Sequence, residues 1–171
     1  PVDQGTAWEL LKAPGVKRLF AINLLLATCW DVHTFAVPLL GHERGFSAST
    51  IGLVLGSFTL SVSIVRMLLP LVAHHLHEMR VVGLAMLGTA VVFALYPFAA
   101  QPGSMLICAV LLGVALGAVQ PMIMSTLHHL TPEHRHGEAL ALRSMAMNVA
   151  STVMPMVFGA SGAWIGAGAL F

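Results

Sequence analysis

From Val81 to Pro132 the chain carries no Asp, Glu, Lys or Arg, and the same holds from Gly45 to Val65 and from Ser144 to Phe171. Apolar runs of this length have few places to go. A helix crossing a bilayer needs about 20 mostly apolar residues, whereas barrel strands are about half as long. The runs also lack the apolar–polar alternation of a half-buried strand. Composition agrees: 57% of residues are hydrophobic and 9% charged, against roughly 25% charged in soluble domains, and the mean hydropathy is +0.87. Eight Lys and Arg against seven Asp and Glu leave a formal charge of +1, too little basic surface for nucleic acid binding. The expected surroundings are a lipid bilayer, and the expected fold is an all-α, multi-span transmembrane helix bundle.

Turn residues divide the apolar sequence into five complete spans, at about residues 19–40, 49–73, 81–100, 105–127 and 139–159, and the start of a sixth at residues 163–171. Gln101-Pro102-Gly103-Ser104 supplies the turn within the longest charge-free run. The other junctions, Gly41 to Ser49, His74 to Arg80, Thr131 to Glu138 and Ala160 to Gly162, are equally short. Residues 1–18 read as an amphipathic connector ahead of the bundle that fills residues 19–171. The chain opens at Pro1 and stops within an apolar run, so it reads as a piece of something longer.

Basic residues set the expected orientation. Lys12, Lys17 and Arg18 precede the first span, Arg80 lies between the second and third, and Arg135 between the fourth and fifth; Arg66 and Arg143 lie near those same ends. Of the eight Lys and Arg, only Arg44 falls in an alternate loop. The positive-inside rule then places the N-terminus of the chain in the cytoplasm, and the expected location is a plasma membrane, such as the bacterial inner membrane. Cys29 and Cys108 lie within spans and read as small buried hydrophobes.

Against this apolar background the polar residues inside the spans stand out. Asp31 is about 15 Å from Gly41 and about 20 Å from Arg18 along a helix, too deep for a short side chain to reach either surface. A charged Asp at that depth costs at least about 2.5–3.5 kcal/mol. It must face a wet cavity, pair with a cation or take up a proton, or else be protonated and tie two helices together. His33 lies about 200° around the helix from Asp31, so the two are not expected to face one cavity. Gln120 and Asn148 reach similar depths on adjacent spans, either as partners of each other or as the lining of a polar pathway. Asp31, His33, Gln120 and Asn148 are the candidates for contact with a substrate or a proton.

Three G-x-x-x-G spacings, Gly52/Gly56, Gly113/Gly117 and Gly162/Gly166, allow close helix approach, and Pro121 and Pro155 interrupt two spans. Histidines gather in two loops, as His74, His75 and His77 and as His128, His129, His134 and His136. They lack the helical H-x-x-x-H spacing of a metal site, and no metal or cofactor is expected.

In this order the features resemble the C-terminal six-helix half of the major facilitator superfamily. The stretch from Trp8 to Arg18 looks like that family's connector into helix seven, and Gly45-Phe46-Ser47-Ala48-Ser49-Thr50-Ile51-Gly52 is similar to its lead into helix eight. The family's loop pattern G-x-L-x-D-R-x-G-R-R maps onto Pro70 to Met79, with His74 at the Asp position and Glu78 at a basic one; Arg66 also matches a common form. Gly113-x-x-x-Gly117-x-x-x-Pro121 resembles helix ten, and Thr131 to Ala139 the connection into helix eleven. The resemblance implies a secondary active transporter of a small-molecule substrate working by alternating access, with proton coupling suggested by Asp31. It implies an N-terminal six-helix half, from the same polypeptide or a partner chain. It further implies a cytoplasmic gate loop comprising Arg66, His74, Glu78, Arg80 and Arg143.

Two other readings use the same residues. A non-transporting receptor or assembly subunit would share the bundle and would not need Asp31. Gly159-Ala160-Ser161-Gly162 resembles the serine motif of rhomboid intramembrane proteases, but Ser161 would need a histidine on a later helix. No enzyme activity is expected.

Overall fold

The structure, a computed structural model, describes residues 7–72 and 75–165. Six α-helices carry the fold: α1 Pro14–Glu43, α2 Ala48–Val72, α3 Glu78–Leu95, α4 Pro102–Gly117, α5 Val119–Leu130 and α6 His136–Ile165. Short 3₁₀ turns precede α1 (Ala7–Lys12), follow α3 (Tyr96–Phe98) and precede α6 (Glu133–Arg135). There is no strand among the described residues.

Local chemistry explains most of the boundaries. Pro14 sits in the first turn of α1, where its missing N–H costs nothing and its fixed φ suits a helix. Val16, Leu19 and Phe20 are buried, and residues 14–18, read as part of the connector, are helical and continuous with α1. Gly45, at φ 73°, lets the chain reverse before α2, and Ser47 Oγ accepts the Thr50 N–H at 3.2 Å as an N-terminal cap. At the start of α4 the Gln101 N–H donates to Ser104 Oγ at 3.2 Å, and that hydroxyl donates to the Gln101 carbonyl at 2.7 Å. The fourth span breaks at Ala118 between α4 and α5. Pro121 supplies the reason, because it cannot donate to the Gly117 carbonyl one turn back.

The turn expected at Ala160–Gly162 is absent, since α6 runs unbroken to Ile165. Residues 163–165, expected to open a sixth span, continue the fifth, and residues 166–171 lie outside the described residues. Small residues signal a turn only where nothing else supports the helix, and a helix in lipid has no water to compete for its backbone bonds.

By length and composition α1, α2, α3 with its following 3₁₀ turn, and α4 with α5 can each cross a bilayer. The 30-residue α6 is also long enough, though Arg143, Asn148, Ser151 and Thr152 interrupt its apolar surface. The α4–α5 span is the hub: α2 packs along α4, α3 against both, and α1 against α5 and α6. Outward faces are apolar too. Leu53, Leu60, Met67 and Leu71 are 60–78% exposed along one side of α2. A stripe of that kind is untenable in water and natural against lipid.

Helices α2 and α4 approach closely at Gly113, where a Cβ would lie 2.6 Å from the Phe58 carbonyl oxygen and 2.8 Å from the Ser61 Cβ. Gly117 stands one turn on, against Val62 and Val65. Gly52 and Gly56 have nothing within 4 Å of such an atom, so only one of these two glycine pairs is a packing device in the described bundle. Gly113→Ala should therefore lower stability by about 1–3 kcal/mol through overpacking. Gly52→Ala should stay within about 0.5 kcal/mol or gain slightly. Thermal unfolding in detergent checks both, and equal effects would contradict the packing described.

Candidate functional site: a polar pocket between four spans

One face of α1 brings Asn23, Leu26, Ala27, Trp30 and Asp31 into register, at the i, i+3, i+4, i+7, i+8 spacing of a helix. With Arg66 of α2, Leu116, Val119 and Gln120 around the α4–α5 break, and Met147 and Ser151 of α6, they line a pocket of about 270 Å³. This is close to the lower end of small-molecule sites, about 300 Å³. The break at Ala118 lies between Leu116 and Val119, so the helix irregularity borders the pocket. That is where irregular backbone is tolerated at membrane depth.

Two opposite charges line this pocket. The Ser151 hydroxyl donates to Asp31 Oδ2 at 3.3 Å, joining α1 to α6. The Arg66 guanidinium lies 5.8 Å from the centre of the Trp30 ring, within cation–π range. Trp30 in turn meets Phe58 edge-on at 4.7 Å. Asn23 is 4% exposed, and its Nδ2 has no hydrogen-bond partner among the described residues. Beside the pocket, Arg143 Nη2 donates to Gln120 Oε1.

Several sequence expectations change here. Gln120 does line the pocket, but its partner is Arg143. Asn148 is exposed among Ser144, Met145, Thr152 and Val153, and its carbonyl accepts the Thr152 hydroxyl at 2.8 Å. Equal depth was not enough, because the side of α6 that carries Asn148, about 60° around the helix from Ser151, is turned away from Gln120.

His33 is also outside the pocket. It is fully buried, its ring 4.3 Å from that of Phe58 and its Nδ1 3.3 Å from the Tyr96 hydroxyl. The separation from Asp31 expected from helix geometry is observed. Replacing His33 by Phe together with Tyr96 by Phe removes both polar groups at similar volume. The pair should therefore cost less stability than His33→Phe alone, which removes the Tyr96 hydroxyl's partner on α1. Thermal unfolding of the two variants checks this, and a double variant worse than the single one would count against it.

The residues expected at the gate loop are dispersed. Arg66 lies within α2 and lines the pocket, and Arg143 lies two turns into α6. Both leave the loop because their helices continue past them. His74 lies outside the described residues. Glu78 opens α3 and accepts hydrogen bonds from the hydroxyls of Ser125 and Thr126, the latter at 3.3 Å, while His129 Nε2 lies 3.6 Å away. Arg80 is exposed two residues on. At the same end Arg135 is paired with Glu138 at 2.9 Å. At the opposite end Arg44 reaches from the α1–α2 loop to the carbonyls of Pro97, at 2.7 Å, and Ala99. Ser161, in the protease-like stretch, falls on the continuous helix α6.

Asn23 and Trp30 are pocket residues that sequence reasoning passed over. An amide eight positions before Asp31, on the same helical face, is the signal that could have found Asn23.

Comparison with known proteins agrees with a bundle of apolar spans. The family model of the Major Facilitator Superfamily matches residues 19–171. The chain belongs to that superfamily and is part of a multi-pass membrane protein. Its sequence is 22% identical over 158 residues to a protein described as "Staphylopine export protein" from Staphylococcus aureus (strain Mu50 / ATCC 700699), a match covering 92% of this chain and 38% of that protein. The chain thus spans well under half the length of this relative. No solved structure matches it.

Proposed function

We propose that this chain is the C-terminal half of a secondary active transporter, which moves a small molecule across a plasma membrane by alternating access. The relative's name supports transport as the activity. The observation that carries the reading is Asp31. It is an acid about 25 Å along α1 from Pro14 and about 18 Å from Glu43, lining a pocket in a bundle with apolar outer faces. An N-terminal six-helix half, from the same polypeptide or a partner, closes the other side of the pocket. The two halves rock about it, and cargo or proton shifts the inward–outward balance by its differential affinity.

Asp31 is the coupling group in this reading. Its hydroxyl partner, Ser151, is on another helix, so gain or loss of a proton at Asp31 acts directly on an α1–α6 contact. In the complete transporter Asp31→Asn should abolish accumulation of cargo driven by a pH gradient. Unchanged pH-driven uptake would remove Asp31 from coupling and place it on another group, whereas no uptake by the unaltered protein would favour a non-transporting receptor.

The end bearing Arg80, Arg135 and the start of α1 faces the cytoplasm, and Glu78 ties α3 to α5 there. Arg80→Cys, on an exposed position, should react with a membrane-impermeant maleimide in inverted vesicles and not in intact cells. The reverse pattern would invert the topology.

A further inference from the structure

The pocket's charges narrow the chemistry of the cargo, and the narrowing rests on the transport reading. Asp31 and Arg66 line one pocket, yet among the described residues no ion pair joins them. Each has a weak neutral neighbour instead: a hydroxyl 3.3 Å from Asp31, an indole ring 5.8 Å from Arg66. A third group points the same way. The Asn23 amide is almost wholly buried in the pocket wall with its Nδ2 hydrogens unsatisfied, and a buried donor without an acceptor carries a penalty of about 1–3 kcal/mol.

The remaining wall is largely apolar, with Leu26, Leu116 and Val119 prominent, and low-dielectric walls strengthen any uncompensated charge. A cation in the pocket answers Asp31 and leaves Arg66 and Asn23 without an acceptor. An anion does the opposite. We infer that the cargo is a small zwitterion, its cationic amine against Asp31 and its carboxylate against Arg66, with the Asn23 amide as a further donor to the carboxylate. The planar guanidinium suits a two-pronged bond to a carboxylate. This half contributes about 270 Å³ to the site.

The test uses the complete transporter in detergent, with its unfolding temperature read against a fixed panel. The panel is the linear ω-amino acids from glycine to 6-aminohexanoate, together with phenylalanine. Each is set beside the amine lacking its carboxylate and the acid lacking its amine. At least one zwitterion should stabilise the protein, with both of its singly charged fragments at least tenfold weaker. Arg66→Gln should erase the zwitterion's advantage over the amine, and Asp31→Asn its advantage over the acid. Arg66→Lys keeps the charge and loses the fork, so it should retain the preference at lower affinity; it replaces Arg66→Gln if that variant does not fold. The proposal is overturned if no zwitterion in the panel stabilises the protein, if a fragment does as well as its parent, or if the variants keep the full preference. Counterflow of the same compounds in proteoliposomes separates this inference from the transport reading. A zwitterion that binds without exchanging sinks transport and spares the site, whereas exchange of singly charged compounds alone spares transport and sinks the zwitterion.

Discussion

Hydrocarbon offers a backbone no hydrogen-bond partner, and each unsatisfied amide or carbonyl in it costs several kcal/mol. That penalty makes every described span of this chain a helix, whatever its local propensities. It carries α6 through Ala160–Gly162, where small residues would end a helix in water, and holds α1 continuous past Pro38. It also governs side chains. Thr28, Thr59, Ser63 and Thr152 return their hydroxyls to carbonyls three or four residues back on their own helices, which satisfies them without requiring a neighbour.

The polar groups not satisfied in this local way are the informative ones. Glu78 with Ser125 and Thr126 fastens α3 to α5 at the basic end, and Arg44 with two carbonyls fastens the α1–α2 loop to the end of α3 at the other. These clamps sit near the ends of the spans, where side chains lie near water. Between them the helices touch mostly through apolar contacts and the Gly113 approach. Within the pocket, Asp31 with Ser151 is a long bond at 3.3 Å, Arg66 rests on an aromatic ring, and Asn23 has an open donor. Firm closure at the ends and incomplete satisfaction in the middle suit a bundle whose central groups take part of their partnering from something that comes and goes.

Asp31 stood out in the sequence because an acid in an apolar run must be hydrated, paired or protonated, and its depth follows from counting residues along a helix. The opposed placement of His33 followed from the same counting. The resemblance assigned Arg66 to the gate loop, and it could not show that the long side chain reaches the Trp30 ring from a position inside α2. Of the two readings of Gln120 and Asn148, Gln120 lines the pocket and does not pair with Asn148: depth comes from residue number, but the facing direction of α6 comes from its packing on α1.

The sequence by itself determined that this is a bundle of membrane helices, roughly where each crosses, which end is basic and which acid lies deep. Those properties depend on hydropathy and rise per residue, both of which are local. Only the tertiary structure decided that Arg66 shares a pocket with Asp31, that Arg143 takes Gln120, that Asn23 is buried there with an open donor, and that Gly113 rather than Gly52 is where helices meet. Each depends on how far a helix is rotated about its own axis, which is set by contacts between spans distant in the chain.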